Sequence, residues 1–567
     1  MREIDPTYEY GEAVDADSPP SLSTRTLRRL LYLAFAALAV LLLVLLPPLI
    51  SVNRYQKRIA NSIGDSLGRP VHLDRVSLNL LPLPGFILEN FVVEEDPAFG
   101  SEPVIRAASV RATLRISSLW RRRVEFSTIS FTDQTSVNLV HTAAGKWNLE
   151  SILIHAAHIE AAPTAQRSAG PAPRFPYIEA TGARLNLKLD NEKTPISLTD
   201  ADFALWLPDP QQWHLRLQGR PARTDTNVPD TGTVQIEGTL GRAASLGQVP
   251  LSLRGEWRNV PLGQASIVLL GRDAGLRGEM TLSANVQGTV SNSALQTHLQ
   301  LSGARRADFV PAQPLDVDLQ CLGTATSNFH SFQDVRCSWP PAGSSGPPIL
   351  AISAALTDIR NPRAAIEIGT PGLPAATLLD WLRIASSRVP ADILASGTLT
   401  GTLSYRPASA DPTPWQGEMR ITNAGLINPH AGATSLITGD VTLQSIAQPA
   451  SDPRHKKRQP IAPPNGFQLT PTSLALGGKD PATLDGHFET TGYTLHLTGM
   501  ASVGRLLALA TALPQFGDGL AQVLPTNRAA GPFRIDFTAI RTRGLPQTWI
   551  DNTAHPATTR PKRTHRP

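Results

Sequence analysis

The sequence contains few of the residues that carry enzyme chemistry. It has only two cysteines in 567 residues, and charged residues make up 17% of the chain, below the quarter that is typical of soluble domains. It has no G-x-x-x-x-G-K-[ST] phosphate loop, no H-E-x-x-H zinc helix, no G-x-S-x-G elbow and no C-x-x-C pair. These absences predict a protein that is not an enzyme and that has no catalytic residues, cofactor or bound metal.

Two polar groupings are the remaining candidates for such chemistry. His155, His158 and Glu160 have side chains that bind metals, but they border a loop and have no fourth ligand in view. Glu94 and Glu95 form a carboxylate pair, although glycosidase-like chemistry requires two carboxyl groups that converge across a cleft. We expect all of these residues to be ordinary loop or turn residues.

The sequence also lacks the charge pattern of a nucleic-acid-binding protein. Its formal charge is +5, but the basic residues are scattered, and the clusters at 121–123 and 455–458 are short. A nucleic-acid surface gathers basic residues on one face and places stacking aromatics between them. We therefore expect no nucleic-acid partner.

One long apolar run stands out. Residues 30–50, LLYLAFAALAVLLLVLLPPLI, contain no charge, and at 1.5 Å per residue they reach about 31 Å, the thickness of the hydrocarbon core of a bilayer. A cleaved secretory signal has a shorter apolar region and a small-residue cleavage site, which this run lacks. The run predicts a single uncleaved membrane anchor. Three basic residues flank it on each side, so charge alone does not orient it.

A short helix is predicted directly after the anchor. Asn53 is a suitable N-cap, Gly68 suits the position after the helix, and Pro70 prevents its continuation. Apolar residues recur at every fourth position: Tyr55, Ile59, Ile63 and Leu67. This spacing predicts an amphipathic helix beside the membrane.

From Val71 onward the apolar period changes from helical spacing to two. Strings such as SVRATLRIS (109–117), WHLRLQG (213–219) and LSLRGEW (251–257) place apolar residues at every second position, which predicts strands of an antiparallel sheet. Short helical stretches follow Trp257, begin at Leu373 and begin at Ser502. Their recurrence suggests a repeated module of several strands and one helix, although no motif repeats exactly.

The predicted fold class is mainly β: an N-terminal transmembrane helix, then an elongated antiparallel β-sheet groove of amphipathic strands with a few short helices. The predicted divisions are a disordered cytoplasmic tail (1–29), the transmembrane helix (30–50), the juxtamembrane helix (51–69), an N-terminal β domain (70–158), an Ala- and Pro-rich linker (159–175), the repeated body (176–548) and a disordered basic tail (549–567).

The N-terminal part resembles the AsmA family. The resemblance lies in the membrane run, RYQKRIANSIGDSLGRPV (54–71), GFILENFVVEEDPAFG (85–100) and GKWNL (145–149), and it covers about residues 28–153. It implies an AsmA-like N-terminal domain and similarity to the TamB-like and chorein-like proteins. It also implies an inner-membrane anchor with the body in the periplasm, and a role in outer-membrane biogenesis in which phospholipid moves between membranes through a β-groove. No catalytic residue comes with it.

Physical reasoning is compatible with that role but leaves an alternative. A lipid that crosses water needs a continuous apolar surface, because each exposed methylene costs about 0.8 kcal/mol, but the same alternation also builds a closed sandwich. In the groove model, strand parity predicts the following lipid-facing residues: Leu185, Leu187, Leu215, Leu217, Val234, Ile236, Leu251, Leu253, Leu282 and Val317. Arg216, Arg254 and Gln235 are predicted to face water.

A second class of function remains open on the sequence alone. The chain would then be a non-enzymatic scaffold or assembly factor for outer-membrane proteins or envelope complexes, and it would bind polypeptide at exposed strand edges rather than lipid. The expected partners are therefore membrane phospholipids, the inner membrane and an outer-membrane or periplasmic protein.

The two cysteines are predicted to form a disulfide. Cys321 shares its strand phase with Val317 and Leu319, and Cys337 shares its phase with Val335. Both cysteines therefore lie on the apolar faces of neighbouring strands. An oxidising compartment would permit a Cys321–Cys337 bond.

Overall fold

The computed structural model places most of the chain, and the description below is confined to those residues. They are 24–45, 56–80, 83–115, 126–132, 134–142, 146–149, 176–189, 192–209, 212–243, 245–341, 347–357, 364–387, 389–406, 415–429, 432–446, 466–489, 492–512, 524, 531–542 and 548–551.

Two helices precede the strands. Helix α1 is Thr24–Leu45 and helix α2 is Gln56–Leu67. Within the described part of the chain, no helix is both long enough and apolar enough to cross a bilayer. The predicted span at 30–50 overlaps α1, and its last five residues lie outside the described residues, so the anchor stays a prediction. Helix α2 begins five residues after the predicted start at 51, and residues 51–55 also lie outside the described residues.

In the part of the chain that the structure describes, twenty-six strands follow α2. The first thirteen are β1 Val71–His72, β2 Arg75–Asn79, β3 Gly85–Val93, β4 Ile105–Leu114, β5 Phe126–Phe131, β6 Ser136–His141, β7 Tyr177–Leu189, β8 Glu192–Asp209, β9 Gln212–Arg223, β10 Thr233–Gly241, β11 Pro250–Pro261, β12 Leu276–Thr289 and β13 Asn292–Arg306. The others are β14 Leu315–Thr326, β15 Ser331–Trp339, β16 Leu350–Leu356, β17 Ala364–Pro374, β18 Leu394–Tyr405, β19 Trp415–Ile427, β20 Ile437–Thr438, β21 Val441–Ser445, β22 Gly466–Leu474, β23 Ala482–Glu489, β24 Gly492–Ala501, β25 Phe533–Thr542 and β26 Thr548–Asp551.

All of these strands belong to one sheet, and from β7 to β19 each strand pairs antiparallel with the next. The exceptions to antiparallel pairing among the described strands are β5 and β6, which both run parallel to β7 and so join the N-terminal domain to the body. The prediction of a mainly β protein with a large antiparallel sheet and few helices is confirmed.

Among the described residues, three further α-helices lie along one rim of the sheet, which we call the helix rim, and a 3-10 helix, Leu246–Gln248, precedes β11. The α-helices are α3 Leu262–Leu270 between β11 and β12, α4 Ala375–Ala385 between β17 and β18, and α5 Val503–Ala512 between β24 and β25. Proline precedes α3 and α4 at the N-cap (Pro261 and Pro374), where its fixed φ suits a chain entering a helix. The opposite rim, where hairpins such as β12–β13, β14–β15 and β18–β19 turn, we call the hairpin rim.

The two faces of the sheet differ in polarity. Cross-strand partners share a face, so the register shows that Leu253 lies on the same face as Val286, and Arg254 on the same face as Asn285. We call the apolar face the inner face and the polar face the outer face. The rim helices pack on the inner face, where Leu262 and Ala265 of α3 form a buried cluster with Val260, Met280 and Ile384.

The two largest buried clusters lie at the two ends of the sheet. The N-terminal cluster packs α2 against the first strands and includes Val76, Leu88 and Val93. The C-terminal cluster is larger and packs α5 against β22–β25, with Leu497 and Leu506 each 0% exposed. Between these clusters the inner face is continuous, and its residues at the middle of β9–β14 are only partly buried.

A bulge held by an aspartate recurs three times in the body. Gly182, Gly303 and Asn423 have positive φ and sit at breaks in strand register. The backbone N–H of each donates a hydrogen bond to an aspartate on the following strand segment: to Asp202 at 3.1 Å, to Asp316 at 2.7 Å and to Asp440 at 2.9 Å, respectively. The residue after each bulge is a buried alanine: Ala183, Ala304 and Ala424. This bulge is therefore a local structure that repeats along the body, as the predicted module would require.

Candidate functional site

The inner face of β9–β12 forms a continuous apolar ladder. Leu217 pairs with Ile236 on the next strand, Val234 pairs with Trp257, and Trp257 pairs with Leu282. Directly paired side chains are neighbours on one face of a sheet. The structure therefore brings these predicted lipid-facing residues together on one surface.

The other predicted residues extend this surface in both directions. Val317 pairs with Leu301, two strands beyond Leu282. In the N-terminal direction, Leu185 pairs with Leu198 and packs in the same cluster as Leu217. The remaining four, Leu187, Leu215, Leu251 and Leu253, alternate with these residues on β7, β9 and β11.

Burial along this surface is incomplete. Of the ten predicted residues, Leu251 is buried at 6% exposure, and the other nine are only partly buried. In a closed sandwich, the opposite sheet would bury most of the inner face. Half-buried apolar residues along the middle of the strands are what an uncovered groove exposes.

Across the middle of its strands, the inner face from β10 to β21 is also free of charge, and Arg306, which pairs with Leu276, lies at the helix rim. The described paired positions away from the helix rim include Val234, Ile236, Gly238 and Leu240; Leu251, Leu253, Gly255 and Trp257; Met280, Leu282, Ala284 and Val286; Leu295, Thr297, Leu299 and Leu301; Val317, Leu319, Cys321 and Cys337; Ile352, Ala354, Ile366 and Ile368; Leu399, Gly401, Leu403, Met419, Ile421, Val441 and Leu443. None of these side chains ionises in the physiological range. An acyl chain would meet no desolvated charge along this path.

The outer face carries the charges. Arg254 donates to Glu256 at 2.5 Å, and Arg258 pairs with the same carboxylate. Together these two arginines lower the pKa of Glu256, against a raising effect of its burial. Arg216 and Arg254 are exposed, as parity predicts, whereas Gln235 is partly buried and lies 3.4 Å from Gln218.

The two cysteines lie on the inner face. Cys321 of β14 faces Cys337 of β15, and the two sulfurs are bonded. Thr297 lies beside the bond on one side and Ile352 on the other. The disulfide therefore forms part of the apolar surface.

The residues that carry the family resemblance meet in the N-terminal domain. Arg69 pairs with Glu95 at 3.4 Å and with Asp96 at 3.1 Å, and both Arg69 and Glu95 are buried. Asn148, which is fully buried, donates to the other oxygen of Glu95 at 2.6 Å. Three segments distant in sequence are thus joined by one buried polar network, in which Arg69 and Asn148 hold Glu95.

Hydrogen-bond partners lower the pKa of two carboxylates in this domain. The backbone N–H of Ala98 lowers the pKa of Asp96, and Arg69 adds to that effect. Hydrogen bonds from Lys188 at 2.6 Å and Lys193 at 3.0 Å lower the pKa of Glu102. Because Lys188 and Lys193 belong to β7 and β8, Glu102 ties the N-terminal domain to the body.

Other candidate sites carry less chemistry. His155, His158 and Glu160 lie outside the described residues. Within the described part of the chain, no group of three or more His, Cys, Asp or Glu side chains is arranged to hold a metal. A cleft of about 670 Å³ between α2 and β1 is lined by polar and apolar residues, among them Lys57, Asn61 and Val71.

Comparison with known proteins agrees with the N-terminal motifs. The model of the AsmA family matches residues 25–191, which confirms the resemblance over that part of the chain. No curated protein and no solved structure matches the chain.

Sequence reasoning missed the positive-φ bulges and the aspartates that hold them. Their signal is present as T-G-A-R (181–184), S-G-A-R (302–305) and T-N-A-G (422–425), each followed later in the chain by an aspartate in D-F-A-L (202–205), D-V-D-L (316–319) or D-V-T-L (440–443). Gly and Asn favour positive φ, and Asp accepts backbone hydrogen bonds readily.

Proposed function

We propose that this protein is an inner-membrane-anchored periplasmic protein of outer-membrane biogenesis. In this proposal, its inner face binds phospholipid acyl chains and assists their transport between membranes. The observation that carries the proposal is the middle of the inner face, which is continuous, uncharged and half-exposed and so has the chemistry of an acyl-chain surface. The AsmA family match at residues 25–191 is consistent with an envelope role.

Two features support the membrane anchor. The run at 30–50 is apolar and free of charge. Within α1, the described apolar side chains are open to the surroundings, with Leu31 at 62%, Phe35 at 71% and Leu41 at 53% exposure. So many exposed apolar side chains on one helix require an apolar environment.

The sheet is long enough to cover part of the distance between two membranes. In three cases, two short strands occupy the same position across the sheet. The 26 strands therefore give about 23 positions. At about 4.8 Å per step the path across the sheet is on the order of 100 Å. A partner at the distal end, or shuttling, would complete the transfer.

The proposal is tested by photo-crosslinking in cells with the full chain. A photoreactive amino acid at Leu217 or Leu253 is expected to capture phospholipid, detected by mass spectrometry of the adduct. The matched outer-face positions Arg216 and Arg254 are expected to capture none. Polypeptide adducts at the inner-face positions, with no lipid at any of them, would contradict the proposal and support the assembly-factor alternative.

A further inference from the structure

A contact between distant segments closes part of the groove. The imidazole ring of His141, at the end of β6, lies 4.6 Å from the ring of Trp147 and 5.9 Å from the ring of His330, measured between centroids. His330 belongs to the β14–β15 turn at the hairpin rim. Seven strands separate β6 from β14 in the sheet. The sheet between them must therefore curl back on itself until its two sides meet.

The turn that presents His330 is strained. Ser327, Asn328 and Phe329 have φ values of 53°, 56° and 66°. Three successive residues other than glycine in this region are unusual, because the Cβ atom crowds the backbone there. His330 itself is fixed by its Nδ1 atom, which lies 2.8 Å from the carbonyl oxygen of Ser327. A strained turn that holds one ring in place indicates a functional contact.

Inner-face residues at the hairpin rim are more buried than those at the middle of the strands, as expected if the groove is closed at this rim. The inner-face residues nearest this rim on β9, β11, β13 and β14 are Trp213 at 0%, Leu251 at 6%, Ser293 at 1% and Ala325 at 1% exposure. The inner-face residues at the middle of the same strands are only partly buried. The inner face is thus covered at this rim and partly exposed at its middle.

We propose that Trp147, His141 and His330 form a clasp that closes the groove laterally next to the N-terminal domain, and that the clasp must open for phospholipid to enter. This inference rests on the proposed function, because it names how access to the same groove is controlled. The contact is a ring-to-ring contact between side chains of two distant segments, and contacts of this kind are weak enough to separate and re-form. A lipid with a bulky headgroup cannot pass a closed rim from the side.

The contact itself is tested in the full chain with a photoreactive amino acid at His330. The expected product is an intramolecular adduct with the segment 141–147, identified by peptide mass spectrometry. The matched control is Gln416, an exposed residue at the β18–β19 hairpin of the same rim, which is expected to give no adduct with that segment. Equal adducts from both positions, or none from His330, would overturn the clasp.

The gating role is tested by a reversible lock. His141→Cys and His330→Cys are combined with Cys321→Ala and Cys337→Ala, and the new thiols are bridged by a short, reducible bis-maleimide. Uptake of fluorescent phosphatidylethanolamine from vesicles of phosphatidylethanolamine and phosphatidylglycerol is expected to slow about tenfold when locked and to recover on reduction. Equal uptake in both states would overturn the gate.

A variant that keeps the native disulfide tests the gate without the Cys321→Ala and Cys337→Ala substitutions. His330→Ala is expected to load lipid faster than the unmodified protein, because one side of the clasp is removed. Unchanged loading would overturn the gate even if the four-substitution protein does not fold. Absence of uptake by the unmodified protein would instead contradict the proposed function, and the photo-adduct at His330 would still decide whether the clasp exists.

Discussion

The backbone N–H of Gly303 donates a 2.7 Å hydrogen bond to the carboxylate of Asp316 across β13 and β14. Gly303 has φ of 58° and lies where the register of the two strands shifts. The bond therefore holds a bulge in place, and the following residue, Ala304, points into the cluster beneath α3. The same arrangement recurs at Gly182 and Asn423.

Asp316→Ala is expected to lower the free energy of unfolding by about 1–2 kcal/mol, because a charge-assisted hydrogen bond to the backbone is lost and the bulge is released. Asp316→Asn retains an acceptor oxygen and is expected to lose less than half of that. Urea denaturation measures both. Equal losses for the two variants would show that the hydrogen bond does not hold the bulge.

Replacing both cysteines is expected to destabilise the body. The bond closes a loop with a sequence separation of 16 residues, and the chain-entropy model assigns a loop of this size about 3 kcal/mol. The measurement compares the denaturation of Cys321→Ala/Cys337→Ala with that of the unmodified protein. Thiol counting on denatured, unreduced protein is the control, and two free thiols would contradict the bond.

Breaking the buried ion pair of the N-terminal domain is expected to destabilise the protein more than the two changes above. Arg69→Met is expected to cost about 3–5 kcal/mol, because it leaves the buried carboxylate of Glu95 without its cation. The matched control is Arg75→Met, whose side chain is 64% exposed beside Glu89, and it is expected to cost less than about 1 kcal/mol. Thermal unfolding of the two variants compares them, and similar losses would contradict a role for burial.

Acid is expected to weaken the junction between the N-terminal domain and the body. Lys188 and Lys193 lower the pKa of Glu102 in the folded protein. A lowered folded-state pKa contributes stability above the unfolded pKa and loses it as the pH falls through the folded pKa. The difference in unfolding midpoint between the unmodified protein and Glu102→Gln should therefore shrink below about pH 4. A difference that stays constant with pH would contradict the linkage.

The sequence predicted the elements whose signals are local. Strand parity placed Leu217 and Leu253 on the apolar face because a strand alternates its side chains strictly. It did not predict which strand ends the helices would cover, since Ile384 of α4 reaches the α3 cluster through contacts far apart in sequence. The meeting of His141 with His330 was equally out of reach, because it depends on the accumulated curl of seven strands.

Gly255 offers the most direct test of the groove. It lies on the inner face of β11 between Ile236 and Ala284. A Cβ atom built there would have its nearest neighbours at 3.8 Å, on the Ile236 side chain, and at 4.0 Å, on the Gln235 carbonyl oxygen. These are ordinary contact distances, so a Cβ atom can be added without displacing the backbone.

Gly255→Trp is therefore expected to place an indole across the path of an acyl chain. Phospholipid that co-purifies with the full chain should fall severalfold, while the free energy of unfolding changes by less than about 1 kcal/mol, because the ring enters open space instead of a packed core. Ser252→Trp adds the same ring on the exposed outer face of β11 and should leave the bound lipid unchanged. A closed sandwich predicts the opposite result for Gly255→Trp: overpacking would cost about 1–3 kcal/mol or more, and there would be no bound lipid to lose. Lipid quantification by mass spectrometry, together with denaturation of the two variants, distinguishes a groove from a sandwich because only a groove has room for the added ring.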